Sequence, residues 1–180
     1  AVRLAALRGK KAHTMLEGQK RTFDLLREKL NPAHRYIWIH AASLGEFEQG
    51  RPLMERIKKE NPEAHIVLSF FSPSGYEVRK HYDLADVVCY LPFDLPAEVN
   101  TFLNLVNPTM AIFVKYEFWG NYLSELRRRN IPTYLISAIF RDSQIFFRPW
   151  GGMFRDMLNC FTRIFVQNEE SRQLLKTIHV

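Results

Sequence analysis

The alternation of short apolar runs with segments of helical spacing constrains the fold of this sequence more than any other feature. Six runs are rich in β-branched and aromatic residues and have the length of strands. Between them, apolar residues recur every three or four positions, as in helices that pack by one face. Parallel strands need such crossover helices, so the alternation predicts an α/β domain whose parallel sheet carries helices on both faces. The predicted strands are Tyr36 to His40, His65 to Phe70, Asp86 to Leu91, Met110 to Val114, Thr133 to Ser137 and Arg163 to Gln167, and the predicted helices cover residues 46–60, 74–82, 96–106, 118–130, 150–160 and 168–178.

The residues between these segments agree with a doubly wound, Rossmann-like domain over residues 31–180. Pro62, Pro108 and Pro132 each stand close before a predicted strand, where proline stops the preceding helix. A chain of 180 residues has room for one such domain with a sizeable core, and a second full domain would not fit comfortably. Neither a G-x-G-x-x-G fingerprint nor a P-loop motif occurs, which argues against a dinucleotide or ATP site.

The two cysteines, Cys89 and Cys160, show no C-x-x-C or metal-like spacing. Cys89 falls in a predicted strand and Cys160 in a predicted helix. We expect both to be buried, reduced thiols of a cytoplasmic protein.

The first 30 residues carry most of the positive charge. They hold eight Lys and Arg residues against three acids, a net charge of +5, whereas the other 150 residues hold 17 and 16. Apolar residues recur on one side of this segment, so we predict a basic amphipathic helix over residues 1–30. Such a helix suits an anionic membrane surface or a nucleic acid, but its apolar stripe can equally pack on the domain. The sequence has no run long enough to span a bilayer and no signal-peptide pattern. Because it opens at Ala1 without an initiator Met, we interpret it as a piece of a longer protein.

Glu46 stands where the first predicted strand gives way to a helix, in the run HAASLGE of residues 40–46. Ligands of open α/β sheets collect beyond the carboxyl ends of the strands, close to helix N-termini, so this is the expected position of a site carboxylate. The spacing of Ser43 and Glu46 also fits a capping box, in which the glutamate folds back onto the backbone of the helix N-cap. The sequence leaves both interpretations open.

Five motifs in this order resemble the 3-deoxy-D-manno-octulosonic acid (Kdo) transferases. They are HAASLGE (40–46), SPSG (72–75), YLPFDLP (90–96), EFWGN (117–121) and SAIFRDS (137–143), and the resemblance covers most of residues 30–180. It implies a GT-B enzyme of lipopolysaccharide biosynthesis, with two Rossmann-like domains, at the cytoplasmic face of the inner membrane of a Gram-negative bacterium. This chain is similar to the N-terminal half, which binds the lipid A precursor. The half that binds the donor CMP-Kdo is absent from the sequence, so we expect this half alone to bind acceptor weakly and transfer nothing.

The resemblance also assigns residues. Glu46 is expected to be the general base of an inverting transfer that needs no metal or other cofactor, because the leaving group is a phosphate monoester. At a helix N-terminus we expect this carboxylate to be ionised and therefore a weakened base. Around it, the acceptor cleft is expected to be shaped by Ser43, Gly45, Ser72, Ser74 and Gly75.

Glu117, Arg141 and Arg148 complete the predicted acceptor site. Glu117 matches a glutamate of the family, although an acid in the first turn of a helix also offsets the helix dipole. Lys115 replaces the acidic residue that is usual two positions earlier. The two arginines lie in an aromatic segment, residues 140–150, that suits a phosphorylated and acylated acceptor, or that simply packs under a long connection. His40 belongs to the first motif, and its role stays open.

Two other functions compete with this prediction. A nucleotide-binding or small-ligand-binding Rossmann-like module of another two-domain transferase is possible without a glycine-rich loop, because helix N-termini bind phosphate. The second competing function is that of a nucleic-acid-binding domain, which the sequence pI of about 9.4 suggests. Since the charge is concentrated in one helix and does not spread over a face with exposed aromatics, we expect no nucleic-acid partner.

Overall fold

A computed structural model of the protein describes residues 10–180 and contains one six-stranded sheet, all of whose strands are parallel. The predicted α/β fold is confirmed, and both ends of every predicted strand lie within two residues of the ends of the observed strand. The strands are β1 (Tyr36–Ala41), β2 (His65–Phe70), β3 (Val87–Tyr90), β4 (Pro108–Val114), β5 (Thr133–Ala138) and β6 (Arg163–Val166). The helices are α1 (Lys10–Lys29), α2 (Leu44–Glu60), α3 (Pro73–Arg79), α4 (Pro96–Val106), α5 (Gly120–Arg128), α6 (Gly152–Leu158) and α7 (Glu169–Thr177), with a short 3-10 helix at Ile145–Phe147.

The strand order is β3-β2-β1-β4-β5-β6, which is the order of a Rossmann fold. The chain winds outward in one direction from β1 and in the other direction from β4. Neighbouring loops therefore diverge where β1 lies beside β4, and a crevice opens beyond the carboxyl ends of these two strands. In open α/β sheets this switch point is where ligands bind.

Two apolar clusters cover the two faces of the sheet, because successive strand side chains point to opposite sides. On one face Trp38 packs edge-on against Phe102 of α4 and Phe113 of β4, at ring-centroid distances of 4.9 and 5.1 Å. Helices α1, α4, α5, α6 and α7 contribute to this cluster. On the other face, α2 and α3 pack on strand residues that include Ile39, and Phe47 of α2 is fully buried there.

Helix α1 lies against the β3 side of the sheet with its apolar stripe turned inward. Leu26 is fully buried, and two polar side chains of the helix reach strand-end carbonyls: Gln19 Nε2 donates to Leu91 O at 2.8 Å and Thr22 Oγ1 donates to Tyr90 O at 3.0 Å. The predicted helix thus packs on the domain over its described part. Residues 1–9 lie outside the described residues, and contact with a membrane stays a prediction. Between residues 10 and 180, no helix combines the length and apolarity that crossing a bilayer requires.

The cysteine prediction is only half right. Cys89 is fully buried in β3, and burial raises the pKa of its thiol to about 12. Cys160 lies just beyond the end of α6 and is only partly buried, because the turn that leads into β6 passes near the surface.

Candidate active site

The turns that follow β1 and β2 are joined at the carboxyl edge of the sheet. The backbone amide of Ser72 donates to the carbonyl of Ala42 at 2.7 Å, which links the turn before α2 to the turn before α3. Ser72 is the N-cap of α3, and its hydroxyl accepts from the backbone amide of Ser74 at 3.3 Å. Two of the predicted segments, residues 43–46 and 72–75, therefore begin helices side by side.

The two glycines in these segments occupy opposite environments. Gly45 is exposed, and a Cβ added there would meet nothing within 4 Å. Gly75 is buried, and its Cβ would lie 2.2 Å from Cδ1 of Phe70. Gly75 thus lets α3 pack closely on the sheet, whereas Gly45 borders open space in front of α2.

Glu46 folds back on Ser43 as the capping-box interpretation predicts. Its Oε2 accepts from the Ser43 backbone amide at 2.9 Å and from the Ser43 hydroxyl at 3.3 Å. Among the described residues, no hydrogen bond falls on Oε1, so one carboxylate oxygen remains available to a substrate hydroxyl. The capping geometry is confirmed, and it is compatible with a second role as a base.

The pKa of Glu46 is raised above its ordinary value. Burial of the half-buried carboxyl is the main cause, and the negative charge of Glu117 adds to it. The hydrogen bonds from Ser43 and the charge of His40 act in the opposite direction but are weaker. The expectation that the helix N-terminus leaves Glu46 a weakened base is therefore wrong, because it left out the burial of the carboxyl and the charge of Glu117, which comes 71 positions later in the sequence. A raised pKa makes the carboxylate a stronger acceptor of a proton.

Glu117 is buried at the switch point between β1 and β4. Its Oε2 lies 3.1 Å from Nε2 of His40 and accepts from Trp119 Nε1 at 2.6 Å. The opposite ring nitrogen of His40, Nδ1, lies 2.9 Å from the hydroxyl of Ser69 on β2. The carboxylate that the sequence predicted is thus held from two sides. Ser69 and Trp119 were missed; only Trp119, inside the EFWGN motif, gave a sequence signal.

The segment after β5 packs beside Glu117, which brings the predicted arginines to the same edge of the sheet. Phe118 contacts Phe146 with a ring-centroid distance of 4.9 Å. The simple packing interpretation holds for Phe140 and Phe146, which are buried, but not for Trp150, which is 73% exposed. Arg141 and Arg148 are both exposed. No hydrogen bond or ion pair joins either arginine to Glu46 or Glu117 in the described part of the chain.

Lys115 occupies an unusual backbone position. It follows the last residue of β4 with a φ of 69°, in the left-handed region that residues other than glycine seldom adopt. Its amide donates to the carbonyl of Ile136 at 2.9 Å, so the turn is anchored to β5. This conformation turns the chain from β4 toward Glu117. Across residues 10–180, no cluster of three or more His, Cys, Asp or Glu side chains could hold a metal ion.

The sequence of this chain is similar to those of several glycosyltransferases. A family model described as 3-deoxy-D-manno-octulosonic-acid transferase matches residues 17–180. The protein of that name from Haemophilus influenzae is 35% identical over 108 residues, which cover 59% of this chain and 25% of the relative. The one from Aquifex aeolicus is 32% identical over 120 residues, or 66% and 32% of the two chains. A bifunctional glycosyltransferase/methyltransferase from Fusobacterium nucleatum is 26% identical over 150 residues, or 79% and 23%.

A Rossmann-like sheet with carboxylates at its switch point, in a sequence similar to these proteins, defines the acceptor-side domain of a glycosyltransferase. More particularly, the chain belongs to the Kdo transferase family and corresponds to its N-terminal domain. It spans about a quarter to a third of the length of the relatives named above.

Proposed function

We propose that the natural protein transfers Kdo from CMP-Kdo to a lipid A precursor, and that this chain supplies the acceptor site with Glu46 as general base. The observation that carries the proposal is the state of Glu46: its pKa is raised, one oxygen is available, and the space before it is open at Gly45. The names of the relatives support the transferred sugar.

The proposed chemistry requires one base. A sugar hydroxyl of the acceptor attacks the anomeric carbon of Kdo, the bond from that carbon to the CMP phosphate breaks, and Glu46 takes the hydroxyl proton. CMP leaves with the electron pair of the broken bond. Attack from the face opposite to CMP inverts the anomeric centre, so no covalent intermediate on the protein is needed.

The acceptor is proposed to lie along the segment that follows β5. Arg141 and Arg148 are exposed cations that suit the phosphates of a lipid A precursor, and guanidinium groups bind phosphate with two parallel hydrogen bonds. Exposed Trp150 and Met153 supply apolar surface for acyl chains. The remaining predicted residues, Ser43, Gly45, Ser72, Ser74 and Gly75, are proposed to shape the cleft around the sugar. An anionic membrane surface at the cytoplasmic face of the inner membrane is the proposed location.

The donor CMP-Kdo is proposed to bind mainly to the second domain expected of a GT-B enzyme. A single phosphate leaving group can be neutralised by cationic side chains and helix N-termini, so we propose transfer without a metal or other cofactor.

The test separates the two roles of Glu46. Gln serves in a capping box as Glu does, so Glu46→Gln keeps the helix start but removes the base. In the natural full-length protein we expect the variant to unfold at a temperature close to that of the wild type and to lose roughly 10²- to 10⁴-fold in kcat. The assay follows transfer of Kdo from CMP-Kdo, generated in situ, to a tetra-acylated lipid A precursor.

Glu46→Ala is the matched control, since it removes both the cap and the base. A Gln variant with most of the wild-type activity would leave Glu46 as a capping residue alone. A wild-type protein that transfers nothing, but binds nucleotides saturably through this domain, would favour the competing nucleotide-binding module.

A further inference from the structure

His40 is a fully buried polar side chain whose two ring nitrogens are both engaged. Nδ1 faces Ser69, with the hydroxyl at 2.9 Å and the carbonyl oxygen at 3.1 Å, and Nε2 faces Oε2 of Glu117 at 3.1 Å. The ring is enclosed by Trp38, Phe113 and Trp119, whose centroids lie 5.9 to 6.5 Å away. Burial of an imidazole in aromatic surroundings is costly unless it is hydrogen-bonded, so the pairing fixes the orientation of the ring.

Every contact in the series from Trp38 through Ser69 and His40 to Glu117 can pair a donor with an acceptor. Trp38 Nε1 can only donate, and it donates to the Ser69 hydroxyl at 2.8 Å. On the Nδ1 side of His40 the hydroxyl is free to donate and the Ser69 carbonyl oxygen can only accept, so Nδ1 is satisfied with or without a hydrogen. An ionised Glu117 can only accept, and it lies on the Nε2 side. The arrangement is therefore complete with a hydrogen on Nε2 and a carboxylate at Glu117.

We propose that His40 is a positioning residue for the transfer reaction: through Nε2–H it holds the Glu117 carboxylate in place at the switch point, at the same edge of the sheet as Glu46. The proposal rests on the proposed function, in which Glu46 is the base. His40 lies on β1 and Glu117 follows β4, so their bond bridges the two strands at the switch point of the sheet. The titratable groups that act on Glu46 are Glu117 and His40.

Two variants of similar polarity separate positioning from packing. The Gln amide reaches about as far as Nε2 of histidine, so His40→Gln keeps a donor for Glu117. The Asn amide reaches about as far as Nδ1, so His40→Asn keeps the contact with Ser69 but leaves Glu117 without this donor. The experiment measures kcat/KM for acceptor against pH in the full-length protein, with thermal unfolding of each variant as the check on folding.

We expect His40→Gln to stay within about threefold of the wild type, with an unchanged acid limb of the pH profile. We expect His40→Asn to lose at least tenfold and to move the acid limb to lower pH, because Glu117 is no longer held close enough for its charge to favour protonation of Glu46. Glu117→Gln should move the limb in the same direction, and adding His40→Asn to it should move the limb no further. Equal losses in the two His40 variants, or limbs that stay in place, would overturn the proposal.

A second measurement keeps the proposal testable if neither variant folds. Long-range ¹⁵N–¹H NMR of the wild type should show the Nε2-protonated tautomer of His40, with a signal that shifts in Glu117→Gln. A ring protonated on Nδ1 alone would contradict the proposal. If the wild type folds but transfers no Kdo, the proposed function fails, while the tautomer still decides whether His40 holds Glu117.

Discussion

Substitution of Gly45 by alanine should separate the requirements of the fold from those of the acceptor. No described glycine has a positive φ, and a Cβ at Gly45 would meet nothing within 4 Å, so alanine fits the conformation and the space. Alanine is favoured over glycine by about 1 kcal/mol in a helix interior. Gly45 lies in the first turn of α2, so we expect a gain of between zero and about 1 kcal/mol in the free energy of unfolding.

The same methyl group would project into the open space at the start of α2. If the acceptor sugar packs against this turn, the methyl displaces it, and a misplacement of about 1 Å can cost about 10²-fold in rate. We therefore expect kcat/KM for acceptor to fall by about tenfold to a hundredfold in Gly45→Ala. Thermal unfolding and the transfer assay, performed on the same preparations of the full-length protein, check the two expectations.

Gly75→Ala is the matched control with the opposite outcome. Its Cβ would lie 2.2 Å from a ring carbon of Phe70, and overpacking of this kind costs about 1 to 3 kcal/mol of stability. A Gly45→Ala protein that is as destabilised as Gly75→Ala would refute the conclusion that a side chain at position 45 has open space around it. A stable Gly45→Ala protein with full activity would show that the acceptor does not approach this turn.

Three further predictions concern groups away from Glu46. Burial raises the pKa of Asp86, but its hydrogen bonds to the His65 ring and to the Ile66 backbone amide outweigh burial, so the net pKa is lowered. The stability that this carboxylate contributes should be present at neutral pH and lost as the pH falls through its folded-state pKa. The free energy of unfolding of Asp86→Asn in urea should therefore differ from that of the wild type at pH 7 and converge with it in acid. Cys160 should react with iodoacetamide in the native state, whereas Cys89, which is fully buried and has a pKa of about 12, should react only on unfolding. Mass spectrometry of the labelled peptides would show the order of reaction, and early labelling of Cys89 would contradict the prediction. Trp150→Ser should change the free energy of unfolding by less than about 0.5 kcal/mol, because the side chain is largely exposed. The same substitution should weaken binding to vesicles that contain the acceptor, and unchanged binding would remove Trp150 from the proposed acceptor surface.

The strands were predictable because their signals are local. The β-branched and aromatic runs gave all six strands to within two residues, and the prolines marked where helices stop. Helix α3 ends at Arg79, three residues before its predicted end, because the chain turns there toward β3. The strand order is not local: nothing in the sequence of Tyr36–Ala41 says that it lies between β2 and β4.

The site divides in the same way. The capping contact of Glu46 with Ser43 spans three residues and follows from the sequence. The partners of His40 are 29 and 77 residues away, and the effect of Glu117 on Glu46 crosses 71 positions. Sequence spacing and the family resemblance therefore identified the carboxylates, but the sequence gave the wrong direction for the basicity of Glu46, which depends on burial and on a charge distant in the sequence.

Helix α1 sets a limit on how far the protein can be shortened. Gln19 and Thr22 occupy the carbonyls of Leu91 and Tyr90, beside a strand that ends the sheet in the described part of the chain. Trimming an N-terminus is a common way to free an enzyme from membranes. A cut beyond Thr22 would uncover an edge strand, and uncovered edges recruit other strands. Past that point, we expect further trimming to make the protein aggregate.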